Sequence, residues 1–370
     1  MNQEFVLGKL ADLMGWDDEI SRREFAWLRL MSRMKYDGYQ EFLAGMRFIE
    51  SLTDWLQQFK AEHRLTAYGF IRENLVFVSL SEMRHLVELF YPETVQPRLL
   101  RKVAQQRGIP VYRVWADIQA AEAYLKLLRK TLFIELSDGG RIDIFRRANA
   151  RLIGNEQIVT APRINADKWK DLLGNLRKDT NDGTARFSLV YLVDDFTASG
   201  TTLLRQEGKK WTGKLWRFWD DVSKDGIANE VFEDDWKLCV HHYISTTQSE
   251  MTIMQRDADI RSALSADGWF RAIEFSAGML FPSDYAVTPS THRQFGELIQ
   301  TYYDDDIMSK NEHMKKGGED ARYGFGKCGL PLVLEHNTPN NSLALLWAET
   351  NGEAGKHAMR PLFRRQQRHS

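Results

Sequence analysis

Cysteine is scarce: Cys239 and Cys328 are the only two in 370 residues. That excludes a disulfide framework and a cysteine-built metal site. Long apolar runs are missing too; no stretch reaches the ~18 residues of a membrane-spanning helix. No apolar leader opens the chain, so neither export nor a membrane span is expected. Neither sign of charge dominates: 50 Lys and Arg against 51 Asp and Glu leave a formal net charge of −1. Bulk charge therefore gives no reason to expect nucleic acid or a membrane surface as partner. The expectation is a soluble, cytoplasmic protein. Aromatic residues are abundant, with 11 Trp, 20 Phe and 12 Tyr, enough to pack an ordered core.

Three segments are expected. Residues 1–125 read as mostly helical, 126–300 as an α/β core, and 301–370 as a C-terminal hood packed on that core. In the first, Phe42, Met46, Ile49, Leu52, Leu56 and Phe59 recur at helical spacing, as do Phe25, Leu28, Met31 and Met34. A helix opening at Ser81 should end near Pro92. Another carries Arg98, Arg101, Lys102 and Arg107 and stops at Gly108. This basic face fits the second helix of a DNA-binding helix-turn-helix; a solvated helix face has the same composition. Contact with a protein partner, or self-association, fits this half equally well.

From residue 131 strands and helices alternate. Leu132-Phe133-Ile134-Glu135-Leu136 reads as a strand running into Ser137-Asp138-Gly139-Gly140-Arg141. A helix over 142–152 follows, then a strand over 157–161 and a helix over 165–178 capped by Asn165 or Asp167. The pattern predicts an α/β fold with a parallel sheet flanked by helices, its ligands lying beyond the carboxyl ends of the strands. The most informative stretch comes next, LVYLVDDFTASGTTLL over 189–204. An apolar strand ends in two carboxylates, Asp194 and Asp195, and a turn of small hydroxyl residues surrounds Gly200. Such a turn can aim N–H groups and hydroxyls at one anion, helped by the N-terminal end of a helix that should follow. An acidic pair beside a phosphate cradle suits a ribose 5-phosphate. A polar turn capping a helix would show the same residue types.

Four apolar residues, two acids and Thr197-Ala198-Ser199-Gly200-Thr201-Thr202 resemble the phosphoribosyl-pyrophosphate (PRPP) loop of type I phosphoribosyltransferases. The resemblance implies that Asp194 and Asp195 hold the ribose hydroxyls while Thr197, Ala198, Ser199, Gly200, Thr201 and Thr202 wrap the 5′-phosphate. It also implies that Ser137, Asp138, Gly139 and Gly140 approach the pyrophosphate, with Arg141 supplying charge to the leaving group. Asp194, Asp195 and Arg141 would then be the catalytic set. Mg²⁺ would enter with PRPP and touch Asp194 and Asp195, and no separate protein metal site is expected. One departure stands out: the family's long closing loop has no counterpart in the short link 162–166.

Further on, Lys209 to Phe232 reads as a Trp-rich insertion and Lys237 to Ile244 as a strand. Adjacent His241 and His242 point to opposite faces there, which suits structural roles better than a shared metal. A short strand is expected over 271–275. Gly324, Gly326 and Gly329 spell G-x-G-x-x-G, but no strand leads in, so a dinucleotide site is not expected. His336, Asn337, Asn340 and Asn341 lie in an amide-rich turn with donors and acceptors suited to a nucleobase. The whole pattern resembles phosphoribosyltransferase-like proteins of bacterial conflict loci, such as anti-phage retron and toxin systems. That resemblance implies a glycosyl-transfer effector. A catalytically silent PRPP or nucleotide sensor that regulates a partner is the alternative, and a nucleic-acid-binding component is a third.

Overall fold

The apolar runs after residue 130 become five strands, β1 (Thr131–Glu135), β2 (Ile158–Val159), β3 (Phe187–Phe196), β4 (Phe232–Thr246) and β5 (Ile273–Phe281). The computed structural model describes residues 3–42, 46–137, 139–160, 164–264, 268–309 and 312–366. The sheet order is β2-β1-β3-β4-β5, and all four neighbouring pairs are parallel. Parallel neighbours need crossover connections, and helices supply them. They are α3 (Ile142–Ala148), α4 (Ala166–Thr180), α5 (Lys214–Ser223) and α6 (Thr247–Ala263), preceded by α1 (Gln96–Arg107) and α2 (Ile118–Arg129).

Both faces of β1 and β3 are covered, which explains why those strands read as continuous apolar runs. On one face Leu132, Ile134, Val190, Leu192, Leu238 and Val240 join a core with Trp169 and Leu172 of α4, Leu215 and Phe218 of α5, and Ile253 of α6. The other face is aromatic. Phe133 stacks on Tyr191 at 5.6 Å, Phe145 of α3 lies 4.9 Å from Phe133, and Phe90 stacks on His241 at 4.0 Å.

Several boundaries differ from the sequence-based expectations. The chain remains helical through Pro92: Leu80–Leu89 leads into a π turn over Phe90–Val95, where Gln96 N–H donates to Tyr91 O, and then into α1. The wider i→i+5 turn accommodates the missing proline N–H. Helix α3 ends at Ala148, four residues early. Strand β4 begins at Phe232 and β5 runs on to Phe281. Their polar or small residues (Glu233, Asp234, Asp235; Ser276, Ala277, Gly278) hide both strands: the register with β3 jumps from Phe232 to Lys237, while Ser276 and Ala277 pair with His241 and His242. Ala161 and the link residues Pro162 and Arg163 lie outside the described residues.

The chain divides into two units, residues 84–281, which carry the sheet, and residues 1–83 together with 282–370. The second unit is formed by the two ends of the chain. Val76–Val78 pairs in parallel with Leu332–Leu334, and Trp55 Nε1 donates to Leu345 O at 2.7 Å. Trp55, Phe59, Tyr302, Leu346 and Phe363 share its core. Pairing across some 250 residues leaves no local mark in the sequence. In this unit Phe325–Lys327 is a short 3₁₀ turn, so the G-x-G-x-x-G string does not open a helix behind a strand. Among the described residues no helix is long and apolar enough to cross a membrane.

Candidate functional site

Strands β1 and β3 are adjacent and parallel, and their connections leave in opposite directions across the sheet. That is the switch point of the order 2-1-3-4-5, where crevices form beyond the carboxyl ends. Both loops singled out in the sequence emerge there.

The first loop stays close to the strand ends. Leu136 N–H donates to Val193 O at 2.9 Å, and Gly140 N–H closes a turn on Ser137 O at 2.9 Å. A Cβ added at Gly139 would lie 2.6 Å from Asp195 Oδ2, and one at Gly140 2.8 Å from Glu135 Cγ. Arg141 follows in the left-handed region at φ 49° and starts α3. For a long side chain this is a costly conformation, of the kind that clusters at functional sites. Asp138 lies outside the described residues.

The second loop is anchored from below. Thr197 N–H donates to Ile244 O at 3.0 Å, prolonging the β3–β4 ladder, and its hydroxyl meets Ser249 Oγ at 3.0 Å. The Thr246 hydroxyl donates to Ala198 O at 2.6 Å and accepts Ser249 N–H at 3.0 Å, so one side chain holds the loop and caps α6. Gly200 has φ +70°, and an added Cβ would lie 2.8 Å from Ile253 Cγ1. Leu203 and Leu204 N–H groups both donate to Gly200 O at 3.2 Å. Thr197, Ala198 and Ser199 are buried, Thr201 is half-buried and Thr202 exposed.

No helix follows this loop directly, contrary to expectation. After Thr202 the chain forms an antiparallel hairpin, Arg205–Glu207 with Lys210–Thr212, and only then α5. The helix start beneath the loop belongs to α6. The left-handed Gly200 and the double acceptance by its carbonyl turn the chain away before a helix can begin.

The two carboxylates do different things. Successive strand residues face opposite ways, and Asp194 pairs in register with His242. Asp194, 2 % exposed, accepts the Ser137 hydroxyl and forms an ion pair with Lys214 at the start of α5. Asp195 is half-buried against Gly139, and its Oδ1 accepts Phe196 N–H at 2.8 Å.

Burial sets the electrostatics behind the strand ends. It holds His242 neutral, lowering its pKa to about 4, with Lys214 adding to the drop and Asp194 and Asp195 opposing it. Burial likewise takes His241 to about 3, helped by His242, while its Nδ1 meets Ser276 Oγ at 2.9 Å. Tyr243 is pushed well above its ordinary value by burial and by the carboxylates of Glu135, Asp195 and Asp194.

The structure thus brings together Ser137, Gly139, Gly140, Arg141, Asp194, Asp195 and residues 197–202. Sequence reasoning missed Lys214, Glu135, Thr246 and Ser249. Only Lys214 left a signal, Gly213-Lys214 ahead of the helical stripe Leu215, Phe218, Val222. His336, Asn337, Asn340 and Asn341 belong to the other unit. There Asn341 Nδ2 donates to Phe325 O at 2.9 Å, and Asn337 exchanges hydrogen bonds with the Gln366 backbone at 3.1 and 3.0 Å. Asn340 Nδ2 lies 3.6 Å from Met314 Sδ. On α1, Arg98 is paired with Glu274 of β5, and Arg107 with Gln119.

A parallel sheet with a glycine loop after one strand, and an acidic pair with a Thr-Ser-Gly turn after its neighbour, defines a phosphoribosyltransferase-like protein. The PRTase-CE family model matches residues 52–365, and the chain belongs to that family. No curated protein and no solved structure matches the chain.

Proposed function

We propose that the protein binds PRPP with Mg²⁺ and transfers its phosphoribosyl group to an acceptor, displacing pyrophosphate. The reading rests on one observation: the two loops leave adjacent strands at the switch point, with Gly139 against the side chain of Asp195. In this reading Asp194 and Asp195 accept the ribose hydroxyls. Residues 197–202 enclose the 5′-phosphate with backbone N–H groups and hydroxyls. Ser137, Gly139 and Gly140 face the pyrophosphate, and Arg141 neutralises charge as it leaves. Displacement at ribose C1 passes through a transition state of oxocarbenium character, so placement and fixed charge carry the catalysis.

Among the described residues no group of three His, Cys, Asp or Glu could hold a metal ion. A divalent ion would draw on oxygens of the PRPP diphosphate and diol, with Asp194 and Asp195 as its protein donors. When bound it would neutralise the diphosphate.

The test is incubation of the full chain with PRPP, Mg²⁺ and a panel of bases and nucleotides. Pyrophosphate release with at least one acceptor is expected.

A second reading, a silent PRPP sensor regulating a partner, is favoured by the short connection 160–165 between β2 and α4. Tight PRPP binding with no turnover on any acceptor would select it.

A further inference from the structure

We propose that Lys214 is a ligand-binding residue, its ammonium bridging Asp194 and the 5′-phosphate of the bound ribose phosphate. This rests on the ribose-phosphate reading above and extends it to a residue outside both loops.

The position of Lys214 is tightly set. Its N–H donates to Thr202 O at 3.0 Å, and Leu215 N–H donates to Leu203 O at 2.9 Å. The start of α5 is thus bonded to the trailing end of the second loop. Gly213 makes that approach possible: its φ is +118°, and an added Cβ would lie 2.4 Å from Leu203 O. Any other residue there would push α5, and Lys214 with it, off the loop.

The ammonium is also in an unusual place. Lysine normally keeps its charged head in water, yet this side chain is only 15 % exposed and its Asp194 partner 3 %. Burying such a pair takes both charges out of water, so by itself it is weak evidence for a stabilising role. An ammonium carries three N–H donors. One goes to Asp194 Oδ2, while Asp194 Oδ1 takes the Ser137 hydroxyl. Lys214 can therefore hold the carboxylate oriented for the diol while its other donors meet a phosphate oxygen. Its charge also offsets the anion a sugar phosphate brings to a carboxylate pair.

The test uses ribose 5-phosphate as the probe and calorimetry on the full chain, with thermal unfolding followed in parallel. Lys214→Gln should weaken binding on the order of tenfold or more, the loss of one charge-assisted hydrogen bond. Lys214→Arg should restore most of it. In the wild type the bound phosphate, followed by ³¹P NMR, should lose its second proton at lower pH than in Lys214→Gln. A purely structural lysine would not move that titration. Affinity within twofold of wild type in a folded Lys214→Gln protein, or an unchanged ³¹P titration, overturns the proposal and leaves the ribose-phosphate reading standing. If Lys214→Gln does not fold, the wild type decides: its Lys214 ¹⁵N ammonium resonance must shift on adding ribose 5-phosphate, and an unmoved resonance overturns the proposal. A wild type that binds no ribose 5-phosphate overturns both.

Discussion

The two loops at the sheet ends use glycine for different purposes. In the first, Gly139 makes room for a flexible carboxylate, since the atom an added Cβ would meet is the tip of Asp195. In the second, Gly200 makes room for the core, since an added Cβ would press on Ile253 and the Ser249 carbonyl at a left-handed backbone position. A side chain at Gly139 can be relieved by turning Asp195 away. One at Gly200 has no such outlet. The first glycine protects the site; the second protects the fold.

Substitutions should separate the two. Gly139→Val should displace Asp195 and weaken PRPP binding by roughly 10- to 100-fold, the worth of one charge-assisted hydrogen bond. Its melting temperature should stay close to that of the wild type. Retained affinity on titration with PRPP would remove Asp195 from the site. Gly200→Ala should instead destabilise, by roughly 2–4 kcal/mol, from the left-handed penalty and overpacking together. Urea unfolding measures this, and an unchanged midpoint would contradict the contrast.

Acid should act on the buried histidines behind both loops. Folding holds His242 at about 4 and His241 at about 3, against 6.5 ordinarily. The unfolded chain binds those protons first, so stability is complete above pH 6.5 and falls as pH drops toward 4 and then 3. Each histidine contributes a slope of about 1.4 kcal/mol per pH unit within its window. Replacing His241 by Phe should flatten the slope, as denaturant midpoints between pH 7 and 4.5 would show. The smallest effect concerns the anchoring of the second loop. Thr246→Val removes the hydroxyl shared by Ala198 O and Ser249 N–H and should cost about 1–2 kcal/mol. Because it leaves Gly139 and Asp195 untouched, PRPP affinity should fall less than in Gly139→Val.

The same contrast separates what the sequence revealed from what it concealed. The central strands β1 and β3 were legible because their residues are buried almost throughout. Runs such as LVYLV, with Asn165 capping α4 through Lys168 N–H at 2.8 Å, announce themselves. The positions of both loops were legible because each follows an apolar strand that gives way to small and acidic residues. Lys214 was not, since a hairpin carries it back from the far side of the loop. The N- and C-terminal segments read as separate because the pairing of Val76–Val78 with Leu332–Leu334 leaves only three-residue strands in each. The amides of 336–341 looked available for a base; Asn337 and Asn341 have backbone partners within their own unit.

The most direct test is calorimetric titration of PRPP with Mg²⁺ into the wild-type chain and into the Asp194→Asn, Asp195→Asn double variant. Saturable binding by the wild type and none by the folded double variant is the expected result. Equal affinity in the two proteins would contradict the placement of the ribose at the ends of β1 and β3.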